Sequence, residues 1–173
     1  MEVVEGVAGI DDLDAFLGTV DDVAEAHSVT IQAFDARYVV GREHLERAVA
    51  LATRAISRGE AIARDEGVEI LLYAAGRRQI NRALAMGVPE GESPLVAVVV
   101  DTGSESPAGV PTADEAAAAD ALRDHLDPTE TLGEYDEDRV CDFFGITERE
   151  REATVGDLTD LVCERAALLV VEQ

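Results

Sequence analysis

The stretch GREHLERAVALATRAISRG, Gly41 to Gly59, constrains the fold of this chain more than any other. Its residues between two glycines read as one helix, with Gly59 as the stop. On a wheel of about 100° per residue, Leu45, Ala48, Val49, Ala52 and Ile56 form one stripe, while His44, Arg47, Arg54 and Arg58 gather opposite. Such a helix has to bury the stripe against other elements and leave a basic side outward.

Those other elements are legible on both flanks. EVVEGV reads as an edge strand, Asp11 to His27 as a helix with Leu13, Phe16, Leu17, Val20 and Val23 at helical spacing, and SVTIQAF as a β-branched strand. VEILLYAA reads as a buried strand broken by Gly76, followed by a second helix, RRQINRALAM, and by the strand PLVAVVVD. A surface loop, TGSESPAGVP, leads into a helix-rich final third: Thr112 caps ADEAAAADALRDHL, EYDEDRVCDFFG follows, and Thr147 opens EREREA. The last segment starts amphipathic and ends apolar at ALLVV, which reads as a final core strand. The expected fold is therefore mixed α/β (α+β), one central sheet of four to five strands with helices packed on it, in a single domain over residues 1–173.

Composition enters through charge. The chain has 37 acidic residues against 14 basic ones, all of them arginine, for a net charge of −23. Lysine-free acidity of this degree is a surface suited to molar salt, as in halophilic archaea, and is no evidence for a cationic partner. Residues 37 to 82 depart from it, with nine arginines against six acids. Cys141 and Cys163 form no CxxC, and the three histidines share no ligand spacing, so neither a disulfide scaffold, a metal site nor a cofactor is expected. The N-terminus lacks a signal layout and PLVAVVV is too short to span a bilayer, which places the chain as soluble and cytoplasmic.

No nucleotide-binding or nucleophile motif stands out, so an enzyme acting alone is not expected. The segment behind Tyr73 carries what chemistry there is. A glycine between a strand and a helix lets backbone N–H groups approach an anion, and guanidiniums suit phosphate. Arg77 and Arg78 stand there, at a helix start where cations are mildly unfavourable. A structural reading stands beside this one: either arginine could pair with Glu69 or with another of the many acids. Tyr38 and Tyr73 could stack on bases, although a strand position makes Tyr73 core, and His44 fits a buried or capping role as well as a ligand.

VTIQAFDARYVVGREHLERAVALATRAISRG followed by EILLYAAGRRQINRALAMGV resembles the small regulatory subunit of the KEOPS complex, the TPRKB-like family. The likeness rests on QAFDA, on EHL opening the long helix, and on Glu69, Leu71, Leu72, Tyr73, Gly76, Arg78, Gln79, Ile80 and Gly87. It covers about residues 29 to 100, with a weaker match at the apolar end. The resemblance implies a non-catalytic subunit that binds a kinase-like ATPase. It also implies recruitment of tRNA by its 3′ CCA end, for threonylcarbamoyladenosine modification beside the anticodon.

On that basis Gly76, Arg77, Arg78, Gln79 and Arg82 are expected at the RNA end, with Arg47, Arg54 and Arg58 as an extension. Kinase contact is expected on the C-terminal helix and tail, Leu158 through Val171, at Leu158, Leu161, Val162, Leu168, Leu169 and Val170. Two alternatives remain: a protein-only adaptor of the kinase, and a small-molecule or nucleotide-binding enzyme using the Gly76 anion site.

Overall fold

The computed structural model describes residues 1–103 and 113–170. The chain divides into two compact units, each built from two separate stretches: Met1–Asp35 with Val88–Thr131, and Ala36–Gly87 with Leu132–Gln173.

The first unit is the sheet unit. Strand β1 (Glu2–Ile10) leads into helix α1 (Leu13–His27), which starts on Asp12, whose side chain accepts from the Ala15 N–H at 3.0 Å, and ends at Ser28 with φ +54°. Strand β2 (Thr30–Asp35) follows, and after the second unit's first stretch come β3 (Gly91–Val100) and helix α5 (Glu115–Arg123). The sheet order is β1-β3-β2, with β3 antiparallel to both neighbours. Val4 and Ala33 both sit opposite Ala97, so one row of small and branched side chains crosses the sheet. Ala118, Ala119 and Leu122 of α5 and Val20 of α1 pack in the same core as this row. Leu95 to Val100 are all buried, which explains why the central strand is a continuous apolar run and not an alternating one.

The mixed α/β class is as the sequence implies, but the sheet has three strands and not four to five. VEILLYAA is helix α3 (Glu66–Ala75), opened by Asp65, whose carboxylate accepts from the Val68 N–H at 2.8 Å, and closed by Gly76 at φ +59°. Every residue from Glu69 to Ala75 is buried. A helix covered on all sides shows no apolar period, so it looks like a buried strand until its caps are weighed. ALLVV is not a strand either: helix α8 (Leu158–Leu168) runs into it, Leu169 and Val170 form a turn, and Val171 lies outside the described residues. Thr112 and most of the expected loop also lie outside them, and α5 is capped by Asp114, which accepts from the Ala117 N–H at 2.9 Å.

The second unit is helical. Helix α2 (Arg42–Arg58) ends at Gly59 and packs on α3 and α8. Helix α4 (Ile80–Ala83) is a single turn continued by a tighter one, Leu84–Met86, and so falls short of the helix expected for RRQINRALAM. Helices α6 (Glu137–Phe144) and α7 (Glu148–Ala153) precede α8, and α7 opens on a reciprocal cap between Thr147 and Glu150. The core joins Leu45, Ala48 and Ala52 of α2 to Ile70 and Leu72 of α3 and to Val162 and Ala166 of α8, all buried.

Candidate functional site

Gly76 ends a helix and does not begin one. Its N–H donates to the Tyr73 carbonyl at 3.2 Å and that of Arg77 donates to Leu72 at 3.1 Å, the closure typical of a left-handed cap. Those N–H groups are committed to the helix, which removes the backbone anion site and with it the basis for a nucleotide-binding enzyme. The glycine is required twice over, by its positive φ and because a Cβ here would stand 3.0 Å from the Arg165 carbonyl oxygen of α8. Cations beyond a helix C-terminus are favourable, so Arg77 and Arg78 suit the helix they follow.

The two arginines then part. The Arg77 guanidinium donates to the Phe143 carbonyl and lies over the Phe143 ring, 5.4 Å from its centroid, which fastens the turn to α6. Arg78, Gln79, Asn81 and Arg82 are exposed. Burial pushes the Tyr73 phenol pKa up, Glu69 adds to this, and Arg78 opposes it. Glu69 does not serve as the counter-charge for these arginines. It is buried, and its carboxylate accepts from the Ile62 N–H at 3.0 and 3.1 Å and from the Ala63 N–H at 2.7 Å, holding the α2–α3 connection.

His44 aligns the two helices. Its Nε2 donates to the Ala74 carbonyl at 2.8 Å, its ring meets Phe144 edge to face at 5.8 Å, and its buried Nδ1 has no partner. Burial lowers its pKa to about 4, against the pull of the Ala74 hydrogen bond. The wheel places His44 opposite the core, but the buried arc of α2 comprises His44, Leu45, Ala48, Val49, Ala52 and Ala55, with Ile56 half-buried.

Because His44 meets Ala74, the start of α2 lies beside the end of α3. Exposed Arg47 is one turn on from His44, at the Arg78 end, where burial and Glu43 push the Cys163 thiol of α8 up to about 11 while Arg47 opposes them. Arg58 lies fourteen residues beyond His44, about 21 Å along the axis at a rise of 1.5 Å per residue. Arg47 therefore lies at the same end of the α2–α3 pair as Arg78, and Arg54 and Arg58 lie toward the far end.

An aromatic group adjoins the Arg77 turn. Tyr38 is half-buried and meets Phe143 edge to face at 5.2 Å, and Arg139 lies over the Tyr38 ring at 5.4 Å. Tyr38, Phe143, Arg139, Asp136, Asp138 and Asp142 line one open hollow of about 590 Å³. Tyr73, by contrast, is core at 1% exposure. Sequence reasoning passed over Phe143 and Arg139, whose only signal was the doubled phenylalanine in RVCDFFG.

The C-terminal candidates also divide. Leu158, Leu161, Val162 and Leu169 belong to the core, whereas Leu168 and Val170 are 41% and 42% exposed. Ile80, between the exposed Arg78 and Arg82, and Leu84, two residues past Arg82, are 43% and 55% exposed. Residues 70 to 89 contain no acidic residue at all. Among the described residues no cluster of three or more His, Cys, Asp or Glu is placed to hold a metal, and no helix is long and apolar enough to cross a membrane.

Residues 17–169 match the model of a protein family described as kinase binding protein CGI-121. No curated protein matches the chain.

Proposed function

The chain belongs to the CGI-121 family of kinase-binding proteins, and from that premise we propose that it is the small, non-catalytic regulatory subunit of a KEOPS-type assembly. In this reading it binds the kinase-like ATPase, works in the cytoplasm of a salt-adapted archaeon, and helps recruit tRNA by its 3′ CCA end for threonylcarbamoyladenosine modification.

One observation carries the RNA contact: residues 70 to 89 lack any acid in a chain that has 37, and Arg78, Gln79 and Arg82 are exposed there. Gly76 and Arg77 build the turn that presents them, and Arg47 extends the surface. Arg54 and Arg58 then serve an RNA segment further from the terminus. At molar salt the Debye length is about 3 Å, so long-range attraction is lost and short charge-assisted hydrogen bonds must dominate. A compact arginine turn meets that requirement better than a broad basic face.

The test is the affinity of the chain, in about molar KCl, for intact tRNA and for tRNA without its CCA end. Trimming is expected to weaken binding, and Arg78→Ala with Arg82→Ala to weaken intact tRNA by about tenfold or more, at roughly 1.5 kcal/mol or more per charged hydrogen bond. Equal binding of both RNAs would remove the 3′ end from the reading.

The protein-only adaptor is favoured by a separate observation. Ile80 and Leu84 are exposed beside Arg78 and Arg82, and arginine mixed with large apolar side chains is the composition of protein interfaces. Leu168 and Val170 are the C-terminal residues that could join such a contact. Under this reading Leu84→Asp abolishes kinase capture, while Arg78→Ala with Arg82→Ala leaves tRNA binding to the assembled complex unchanged.

A further inference from the structure

The hollow beside the Arg77 turn combines aromatic, cationic and acidic side chains. Two aromatic rings reach its surface, and each already has a guanidinium over it: Arg139 on Tyr38 and Arg77 on Phe143, both at 5.4 Å. The Arg139 Nε lies 3.7 Å from the Asp136 carboxylate, and the Arg139 side chain is 36% exposed. Asp138 and Asp142 stand one turn apart on α6, both exposed, on the rim of the same hollow.

Each component narrows the ligand. With guanidiniums already over both rings, a further cation meets like charge where it would seek an aromatic face. The outer plane of a guanidinium stacked on an aromatic ring instead suits a neutral, flat π-system. Two carboxylates at the rim are acceptors only, so the ligand's edge must carry N–H donors. Asp138 and Asp142 would repel a phosphate, which has to lie to the side, where exposed Arg78 follows the tethered Arg77. A flat heterocycle with amino donors and a phosphate displaced from it describes a nucleobase of a single strand.

We propose that Arg139 and Tyr38, backed by Phe143, form a stacking platform for one base of a single-stranded RNA end, with Asp138 and Asp142 accepting from its amino group. Adenine, cytosine and guanine meet this demand. Uracil offers a single edge N–H flanked by two carbonyl oxygens, which the carboxylates repel, so the platform discriminates against it. This rests on the RNA-end reading above and adds to it the position of a base and a selectivity.

The experiment titrates the full chain, in about molar KCl, with single-stranded RNA hexamers. One carries 2-aminopurine at its 3′ end, and two others end in adenosine or uridine. Quenching of 2-aminopurine on binding is expected, together with weaker binding of the uridine-ended probe. Tyr38→Leu, which keeps apolar contact with Phe143, should abolish the quenching and weaken binding by about tenfold, within the range for loss of one stacked base. Asp138→Asn with Asp142→Asn changes exposed residues only and should equalise the adenosine and uridine probes, which keeps the test independent of folding.

If these variants behave as the unaltered chain while Arg78→Ala with Arg82→Ala still weakens binding, the platform is wrong and the RNA-end reading stands. Failure of every probe and of intact tRNA to bind, with or without the kinase, overturns both. Loss of kinase capture in the variants with RNA binding intact assigns the hollow to a protein contact and likewise overturns the platform.

Discussion

His44 is a buried base that folding keeps neutral. Its pKa falls from 6.5 to about 4 because desolvation outweighs the hydrogen bond to Ala74. Above pH 6.5 the imidazole is neutral in both folded and unfolded chains, and its packing against Phe144 is fully available. Below that the unfolded chain takes up a proton that the fold refuses, so stability from this site erodes as pH falls toward 4, on the order of 3 kcal/mol in all. Denaturant titrations at several pH values should show His44→Leu, which cannot ionise, with a shallower loss across this window than the unaltered chain. Parallel slopes would mean that His44 is protonated in the fold. A buried or capping histidine was one of the readings its position allowed, but its partner is a backbone carbonyl thirty residues away, which no local pattern announces.

At the scale of elements, α3 and its cap decide the candidate site. Asp65 and Gly76, the two signals that bracket this helix, are in the sequence, yet the apolar run between them matches a strand equally well. The choice is made by α2 and α8, which cover it on more than one side and so reward a helix with apolar residues all round. Turning this segment from strand to helix moves Gly76 from a helix start to a helix end, and the arginines from a locally unfavourable place to a favourable one. Gly76→Ala tests the geometry against Gly59→Ala, since both glycines cap helices, at φ +59° and +69°. A Cβ at Gly59 meets nothing within 4 Å, while one at Gly76 meets the Arg165 carbonyl oxygen at 3.0 Å, its carbon at 3.1 Å and the Arg165 Cβ at 3.3 Å. Each change carries about 1 kcal/mol of left-handed strain, and thermal melts should place the Gly76 variant a further few degrees lower. Equal melting temperatures would mean that α8 does not press on the turn.

For the whole molecule, a net charge of −23 is a repulsive term that solvent must screen. Moving from about 1 M to 0.1 M KCl lengthens the Debye distance from about 3 to about 10 Å, enough for carboxylates on neighbouring helices to repel one another. The melting temperature is expected to fall steeply over that range; a melt indifferent to salt would argue against salt adaptation. Acidity of this kind is a property of composition and needs no fold to be read. The same holds for the α2 stripe, for β1, β2 and β3, and for the cap at Thr147, because each is a local pattern matched to a local period or hydrogen bond. Tertiary structure decided what local pattern leaves degenerate: whether a wholly apolar run is strand or helix, which of two adjacent arginines is tethered, and which leucines of α8 stay outside. Arg77 and Arg78 are identical as residues, and only the packing of α6 beside the turn gives the first a ring and a carbonyl to hold while leaving the second exposed.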